Sequence, residues 1–477
     1  MIATCALVGG TMGVLSTMVQ VDTYEKTLIA GTALLVSGIC ILGFARWPPV
    51  GLAALVLSGL LMPTFVDSAV DRRLNATFVL APILIVLWLL GMAKRGITPR
   101  ENAARQNRPL LLLLSVCVLS FLVGQFPWFP RSQAPLDAQL GGLAIFLFSG
   151  GAFFMASYHL RSLRWLRVIV WTFLAAAAIR VVLLYLPDAV LRPFSMFAAA
   201  PLLPTSPLGS MFWTWLMALT FGQLVGNPHL RRRFKLALAS LLSLVVYITF
   251  FPWRDWASGW LPGFVAMFVI LALMKPRVAV LLLCAGITLV LYKQERLSDA
   301  LWTPDQQYSY VSRSHAAATL SEIARKDLLF GLGPANYYHY TPLYPIAGWF
   351  VHFSSHSTYL DLILQVGIVG LICYGWFLLS VGWLAVRLRK QVRPGFALGY
   401  VYGAAGGLVG TACAGGLGDW VLPFAYNVGV AGFRSSILAW IFLGGLAGLG
   451  HIVTAQEGGN SDGAAGWSDS GGQRCDA

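Results

Sequence analysis

Apolar runs of about 20 residues recur from one end of the sequence to the other, each long enough to cross the ~30 Å hydrocarbon core of a bilayer as a helix. That repetition constrains the fold more than any motif. In lipid every backbone N–H and C=O must find its partner within the protein, which leaves helices or a closed barrel. Continuous runs such as LLLLLSVCVLSFLV, rather than strict alternation, choose helices. Charged residues make up 11% of the chain, well below the ~25% of an ordinary soluble protein. No soluble domain of usual size can be carved out. The expected fold class is all-α, a polytopic integral membrane helical bundle.

Spans are expected near residues 2–19, 27–44, 48–66, 76–93, 109–126, 139–158, 165–186, 208–226, 235–251, 258–274, 277–292, 358–386, 396–415 and 434–453. That makes about fourteen, or thirteen if the first, Gly- and Thr-rich and without a positive leader, does not cross. The net charge of +14 could suggest nucleic acid, but its distribution points elsewhere. The basic clusters fall on alternate loops, among them Lys94, Arg95, Arg100, Arg105 and Arg108; Arg231, Arg232, Arg233 and Lys235; and Arg387, Arg389, Lys390 and Arg393. Those loops hold nineteen basic residues against one acid, Glu101. The opposite loops mix signs. This asymmetry reads as topology, with both termini cytoplasmic, and no nucleic-acid partner is expected.

The seven cysteines lie in spans or in the tail (Cys475), so neither a disulfide framework nor a CxxC metal pattern is expected. The run YGAAGGLVGTACAGG carries Gly406 and Gly410 at GxxxG spacing, which suggests close helix packing. The Gly- and Ser-rich stretch 455–477 reads as a disordered cytoplasmic tail.

One outer loop, 293–356, is far longer than the rest, and long loops tend to carry function. Within it Ala316, Ala317, Leu320, Ile323, Ala324 and Leu328 repeat at three and four, predicting an amphipathic helix. Ser312 is its expected N-cap, Arg325 and Lys326 suit its last turn, and Gly331 its end. In that register Arg313 sits in the first turn, where a cation opposes the macrodipole but joins free N–H groups in an anion cradle; a snorkelling or headgroup-binding role is the alternative. His356 stands where the loop meets the twelfth span. An interfacial imidazole there can work as a base near neutral pH, or can be structural. His315, His339 and His352 are nearby, but no paired metal-ligand spacing accompanies them, and no metal or other cofactor is expected. Arg254 lies in a short outer turn with Asp255 as a ready partner, amid Trp253, Trp256 and Trp260. Arg180 lies inside the seventh span, where a charge is costly and points to function unless it snorkels to the interface.

Together these pieces resemble the O-antigen ligase and repeat-unit polymerase superfamily of bacterial envelope glycan enzymes. GLGPANYY, followed after about twenty residues by SHSTYLDLILQVGIVGL, is similar to the family's Gly-x-Gly turn and His-led span ending in Gly-hydrophobic-hydrophobic-Gly. Arg313, eighteen residues before Gly331, matches the family's loop arginine, and Arg254 its arginine at the start of an earlier span. The likeness covers roughly residues 235–385. It departs in Ser357 where Asn is frequent, in Gln365 where an acid is common, and in Trp253 where Ser usually precedes the arginine.

The resemblance implies transfer of a preassembled glycan from undecaprenyl diphosphate to an acceptor hydroxyl, without metal, on the periplasmic face of the bacterial inner membrane. The acceptor could be a glycan, a lipid or a protein. His356 would be the base and Arg313 the principal diphosphate ligand, with Arg254, Arg180 and Arg325 as further candidates. Expected partners are the lipid-linked donor, the acceptor, the bilayer and other envelope polysaccharide assembly proteins. The expected organisation is a membrane bundle over 1–234, a ligase-like core over 235–386 holding loop 293–356, C-terminal spans over 387–454, and the tail. A lipid-linked oligosaccharide flippase or other transporter is the main alternative. A non-catalytic partner in an export complex is a third.

Overall fold

The computed structural model describes residues 38, 40–62, 64–67, 72–96, 105–184, 208–253, 256–292, 304–346 and 348–465. The first expected span lies outside these residues, as do most of the second and Arg254. The other twelve expected spans each have a helix. They are α1 (Pro48–Leu61), α2 (Ala76–Lys94), α3 (Asn107–Val123), α4 (Leu136–His159), α5 (Leu163–Leu183), α6 (Ser210–Gly226), α7 (Arg232–Phe250), α8 (Ala257–Met274) and α9 (Pro276–Tyr292), then α12 (Thr358–Gln391), α13 (Phe396–Leu417) and α14 (Gly429–Ala465). Two further helices, α10 (Pro304–Ala324) and the single turn α11 (Tyr337–Tyr340), belong to the long outer loop.

Eight of these, α2, α4, α5, α7, α8, α12, α13 and α14, are long and apolar enough to cross a membrane. They mark the chain as a helical membrane protein. α1, α3 and α9 are apolar but shorter. α1 stops early because a proline follows at position 63, and an antiparallel ribbon, β1 (Thr64–Asp67) and β2 (Arg72–Asn75), takes up the chain. The surface repeats the message of the sequence. Leu281, Leu291, Leu379 and Trp383 are all more than 65% exposed, an apolar face that needs lipid rather than water against it.

The centre of the bundle is α6, nearly every residue of which is buried. It packs on α8 and α13, while α14 packs along α4. The small-residue run in α13 does what its spacing suggests. A Cβ on Gly406 would come within 2.5 Å of the Ala266 carbonyl oxygen, and one on Gly410 within 2.6 Å of that of Pro262, so only glycine lets α8 approach this closely.

Three details of the sequence reading change. α10 begins at Pro304, so Ser312 is not its N-cap and Arg313 lies in its interior, away from the free N–H groups of a first turn. The apolar repeat starts only at Ala316, but Thr-Pro-Asp at 303–305 carries the start signal, since proline is suited to the first helical position. Ala316, Leu320, Ile323 and Ala324 are buried as expected, whereas Leu328 is 47% exposed because the α-helix ends before it, in the 3-10 turn Arg325–Asp327. At the other end, α14 continues to Ala465, into the stretch expected to be disordered.

Candidate active site

The stretch from Leu328 to Asn336 is locked into α12. At Gly367 the helix breaks, with φ 72° and ψ −177°, a conformation essentially reserved for glycine. A break strands backbone groups that lipid cannot satisfy, and the loop takes them up. Leu332 N donates to Leu364 O at 2.9 Å and Gly333 N to Gln365 O at 3.1 Å, while Ile368 N donates to Leu328 O at 2.8 Å. Ser120 of α3 also donates its hydroxyl to the Gln365 carbonyl. A Cβ on Gly367 would sit 2.0 Å from Leu329 O, and one on Gly331 2.6 Å from Gly367 N. The Gly-x-Gly turn and the glycine of the span are therefore two halves of one joint. Asn336 closes it, donating to the carbonyls of Gly124 and Leu332 and accepting from Ala134 N.

The joint fixes the short upper piece of α12, and His356 stands just before it. His356 is half-buried with φ 50°, a left-handed backbone that non-glycine residues adopt mainly where the surroundings hold them. The next residues are pinned by Ser355, whose hydroxyl accepts from Ser357 N at 3.1 Å and lies 2.7 Å from Asp361 Oδ1. Asp361 is buried and also accepts from Tyr337 Oη at 2.5 Å. Burial, and then the charge of Asp361, hold the Tyr337 hydroxyl far above its usual range, so it stays a donor. Thr358 binds Gly418 O through both its N–H, at 3.2 Å, and its hydroxyl, at 3.0 Å, tying the start of α12 to the α13–α14 loop.

That loop brings the partners of the imidazole. Asn427 Nδ2 lies 3.0 Å from His356 Nδ1 and 2.6 Å from Asp419 Oδ1. An amide NH2 only donates, so in this arrangement Nδ1 accepts, and a neutral ring carries its proton on Nε2, 3.3 Å from Ser354 Oγ. Turning the amide over gives the other arrangement. Nδ1–H then donates to the amide oxygen, Nε2 exposes the lone pair that a base needs, and Asp419 must hold a proton to face that oxygen. Burial raises the Asp419 carboxyl above its ordinary value, against the opposing donors Phe424 N, Val428 N and Asn427. In the turned arrangement the tautomer of His356 and the proton on Asp419 go together.

Beside it rises an aromatic wall. Tyr338 stacks on Tyr426 at 4.5 Å between ring centroids and on His352 at 4.9 Å. His352 Nδ1 donates to Tyr338 O at 2.9 Å, and His339 Nε2 is 3.0 Å from Tyr426 Oη. Burial, then His352 and Arg131, lower the His339 imidazole below its ordinary value, which keeps it neutral. His315 is exposed on α10. Among the described residues no group of three or more His, Cys, Asp or Glu side chains is gathered as a metal site would require.

Of the expected arginines, Arg254 lies outside the described residues and Arg313 is in the interior of α10. Arg325 is exposed in its 3-10 turn. Arg180 lies in the last turn of α5 and is 1% exposed, so it does not snorkel to solvent. Asp419, Asn427 and Arg434, the last buried in α14, were not anticipated from sequence. Arg434 sits at the edge of an apolar run, where the rule that flagged Arg180 applies equally. Asp419 and Asn427 carry no local pattern at all and join the site only through the fold. Compared with known proteins, the chain matches no family model and no curated protein sequence.

Proposed function

We propose that the chain is a membrane glycosyltransferase that moves a preassembled oligosaccharide or polysaccharide from undecaprenyl diphosphate to an acceptor hydroxyl. In this reading the chain crosses the bacterial inner membrane about fourteen times, both termini are cytoplasmic, and the site opens to the periplasm. The observation that carries it is His356, held in a left-handed conformation at the mouth of an apolar bundle, with Nδ1 tied through Asn427 to the buried Asp419. With the Asn427 amide turned so that its oxygen accepts from Nδ1–H, Nε2 is left with the lone pair that a general base needs.

The chemistry follows. Nε2 takes the proton of the acceptor hydroxyl as its oxygen attacks the anomeric carbon. The bond from that carbon to the diphosphate oxygen breaks, and the diphosphate leaves with the electron pair. Guanidinium groups offset the growing charge, and Arg pairs bidentately with phosphate oxygens. Arg313, Arg254, Arg180 and Arg325 are the candidates. The lipid-facing helices account for a donor that never leaves the bilayer.

A flippase is the rival, since carriers also use broken helices and buried charges. Here the groups freed at Gly367 are taken by residues 328–333 of the same chain, which favours a rigid joint over a moving gate. The test uses membranes from a host without its own ligase and polymerase, a labelled undecaprenyl-diphosphate glycan, and chelator throughout. Glycan released onto acceptor supports the reading, and a ladder of sizes marks a polymerase. Movement of the intact lipid between leaflets with no release favours the flippase.

A further inference from the structure

Large aromatic side chains left open to solvent are informative when they are contiguous and held in place. Residues 349–352, Trp-Phe-Val-His, are all exposed, Trp349 by 72% and Phe350 by 66%. The segment is nonetheless fixed. Ile346 N donates to Trp349 O at 2.9 Å and Trp349 N to Ile346 O at 3.0 Å, closing a turn in which Gly348 takes a left-handed φ of 85°. His352 Nδ1 donates to Tyr338 O, and Phe353 N donates to Thr341 Oγ1 at 3.1 Å. From here the aromatic surface continues inward. His352, Tyr338 and Tyr426 form a column of near-parallel rings, with interplanar angles of 20° and 9°. The buried Phe424 backs the column, 6.2 Å from the Tyr338 ring and 6.1 Å from that of Tyr426. Tyr426 precedes Asn427, whose amide touches His356, and the Phe353 ring meets the His356 ring at 5.6 Å. Direct contacts thus join the exposed strip to the candidate base by two routes.

A lipid tail and a sugar ask different things of such a surface. A tail needs only apolar area. A pyranose ring has a face of C–H groups that packs on an aromatic ring, and a rim of hydroxyls that need hydrogen-bond partners. The strip offers both. Because Nδ1 of the exposed His352 is committed as a donor, the neutral ring keeps Nε2 as an acceptor for a hydroxyl. His339 Nε2 and Tyr426 Oη, 3.0 Å apart, add polar atoms beside the column. The rings are already stacked and pinned, so little ordering is lost when a ligand settles on them. We propose that Trp349, Phe350 and His352, backed by Tyr338 and Tyr426, form a glycan-binding subsite that stacks pyranose rings of the sugar chain whose reacting end lies at His356. The subsite rests on the reading of the protein as a glycan transferase and adds where, and by which contacts, the sugar chain is held.

The test measures binding without transfer. Full-length protein in lipid nanodiscs is mixed with a panel of free hexasaccharides, of gluco, galacto, manno and N-acetylglucosamine type, that carry neither lipid nor diphosphate. In saturation-transfer NMR, signal on the ring C–H protons of at least one member supports the subsite. Trp349→Ala and His352→Ala remove exposed side chains and should leave the fold intact. Each should weaken that binding about five- to tenfold, and His352→Phe, which keeps a ring, should recover part of it. Binding of no member to the wild type, or binding unchanged in both alanine variants, overturns the proposal. Quenching of Trp349 emission by brominated lipid, read as the difference between wild type and Trp349→Phe, also overturns it, because the strip would then sit in the bilayer. Sugar binding that the variants weaken, with no transfer of lipid-linked glycan, would sink the enzyme reading and leave the subsite standing. Transfer with an unchanged KM for the donor in both alanine variants would do the reverse.

Discussion

Replacing Gly367 by alanine should unlock the joint that positions His356, and the size of the effect can be worked out. The backbone there has φ 72° and ψ −177°; a positive φ alone costs a residue with a Cβ about 1–2 kcal/mol. The new methyl would also stand 2.0 Å from Leu329 O, so the 328–333 segment must move. Its hydrogen bonds to and from Leu364, Gln365 and Ile368 are each worth about 1 kcal/mol net. Losing two of these brings the total to about 3–4 kcal/mol, within the range expected of a disrupted backbone site. Gly375, further along the same helix with nothing within 4 Å of its would-be Cβ, is the control. Alanine there should be neutral or stabilising by up to about 1 kcal/mol. Thermal unfolding in detergent can be followed with a thiol dye on the buried Cys117 and Cys373. Equal midpoints for Gly367→Ala and Gly375→Ala would refute the interlock.

Three further outcomes follow from the same geometry. Tyr337→Phe removes one of the two donors to the buried Asp361 carboxylate and should destabilise the protein by about 1–3 kcal/mol, read in the same unfolding assay. Because the Asp419 carboxyl is raised by burial, the folded state holds its proton at pH values where the unfolded chain has lost it. Its contribution to stability is full below the ordinary carboxylate value and falls as pH rises through the raised one. Transfer that depends on protonated Asp419 should decline over the same alkaline limb, and Asp419→Asn should flatten that limb in a pH–rate profile while Asp419→Ala abolishes activity. Gly410→Leu should separate α8 from α13, giving low yield and a lowered unfolding midpoint, while a leucine at Gly286, which has open space around it, should be tolerated.

Helix positions were legible in the sequence because lipid imposes one rule on every span: about 20 apolar residues with their hydrogen bonds kept inside. The amphipathic stripe of α10 was legible for the same kind of reason, through Ala316, Leu320, Ile323 and Ala324. Its start differs because residues 304–315 carry no apolar period in the sequence, and the cap chemistry at 303–305 carries the signal there instead. The break at Gly367 was hidden because a glycine within an apolar run is compatible with either an intact or a broken helix. Only the complementary shape of Leu328–Gly333 decides between them. His356 is picked out in the sequence by its place where the long loop meets a span. Its second partner, Asn427, is 71 residues away, and no local pattern connects the two. Arg180 and Arg434 are charges in or beside apolar runs of the sequence, but the burial of both side chains is a property of the packed bundle.

The central claim is that His356 is the base in glycan transfer, and the most direct measurement is the single-turnover rate with saturating lipid-linked donor in membranes carrying wild type or His356→Ala at matched expression. The account predicts a loss of about 10²–10⁴-fold in His356→Ala, with donor binding retained and part of the rate restored by imidazole in the buffer. A variant that transfers glycan as fast as wild type would contradict it.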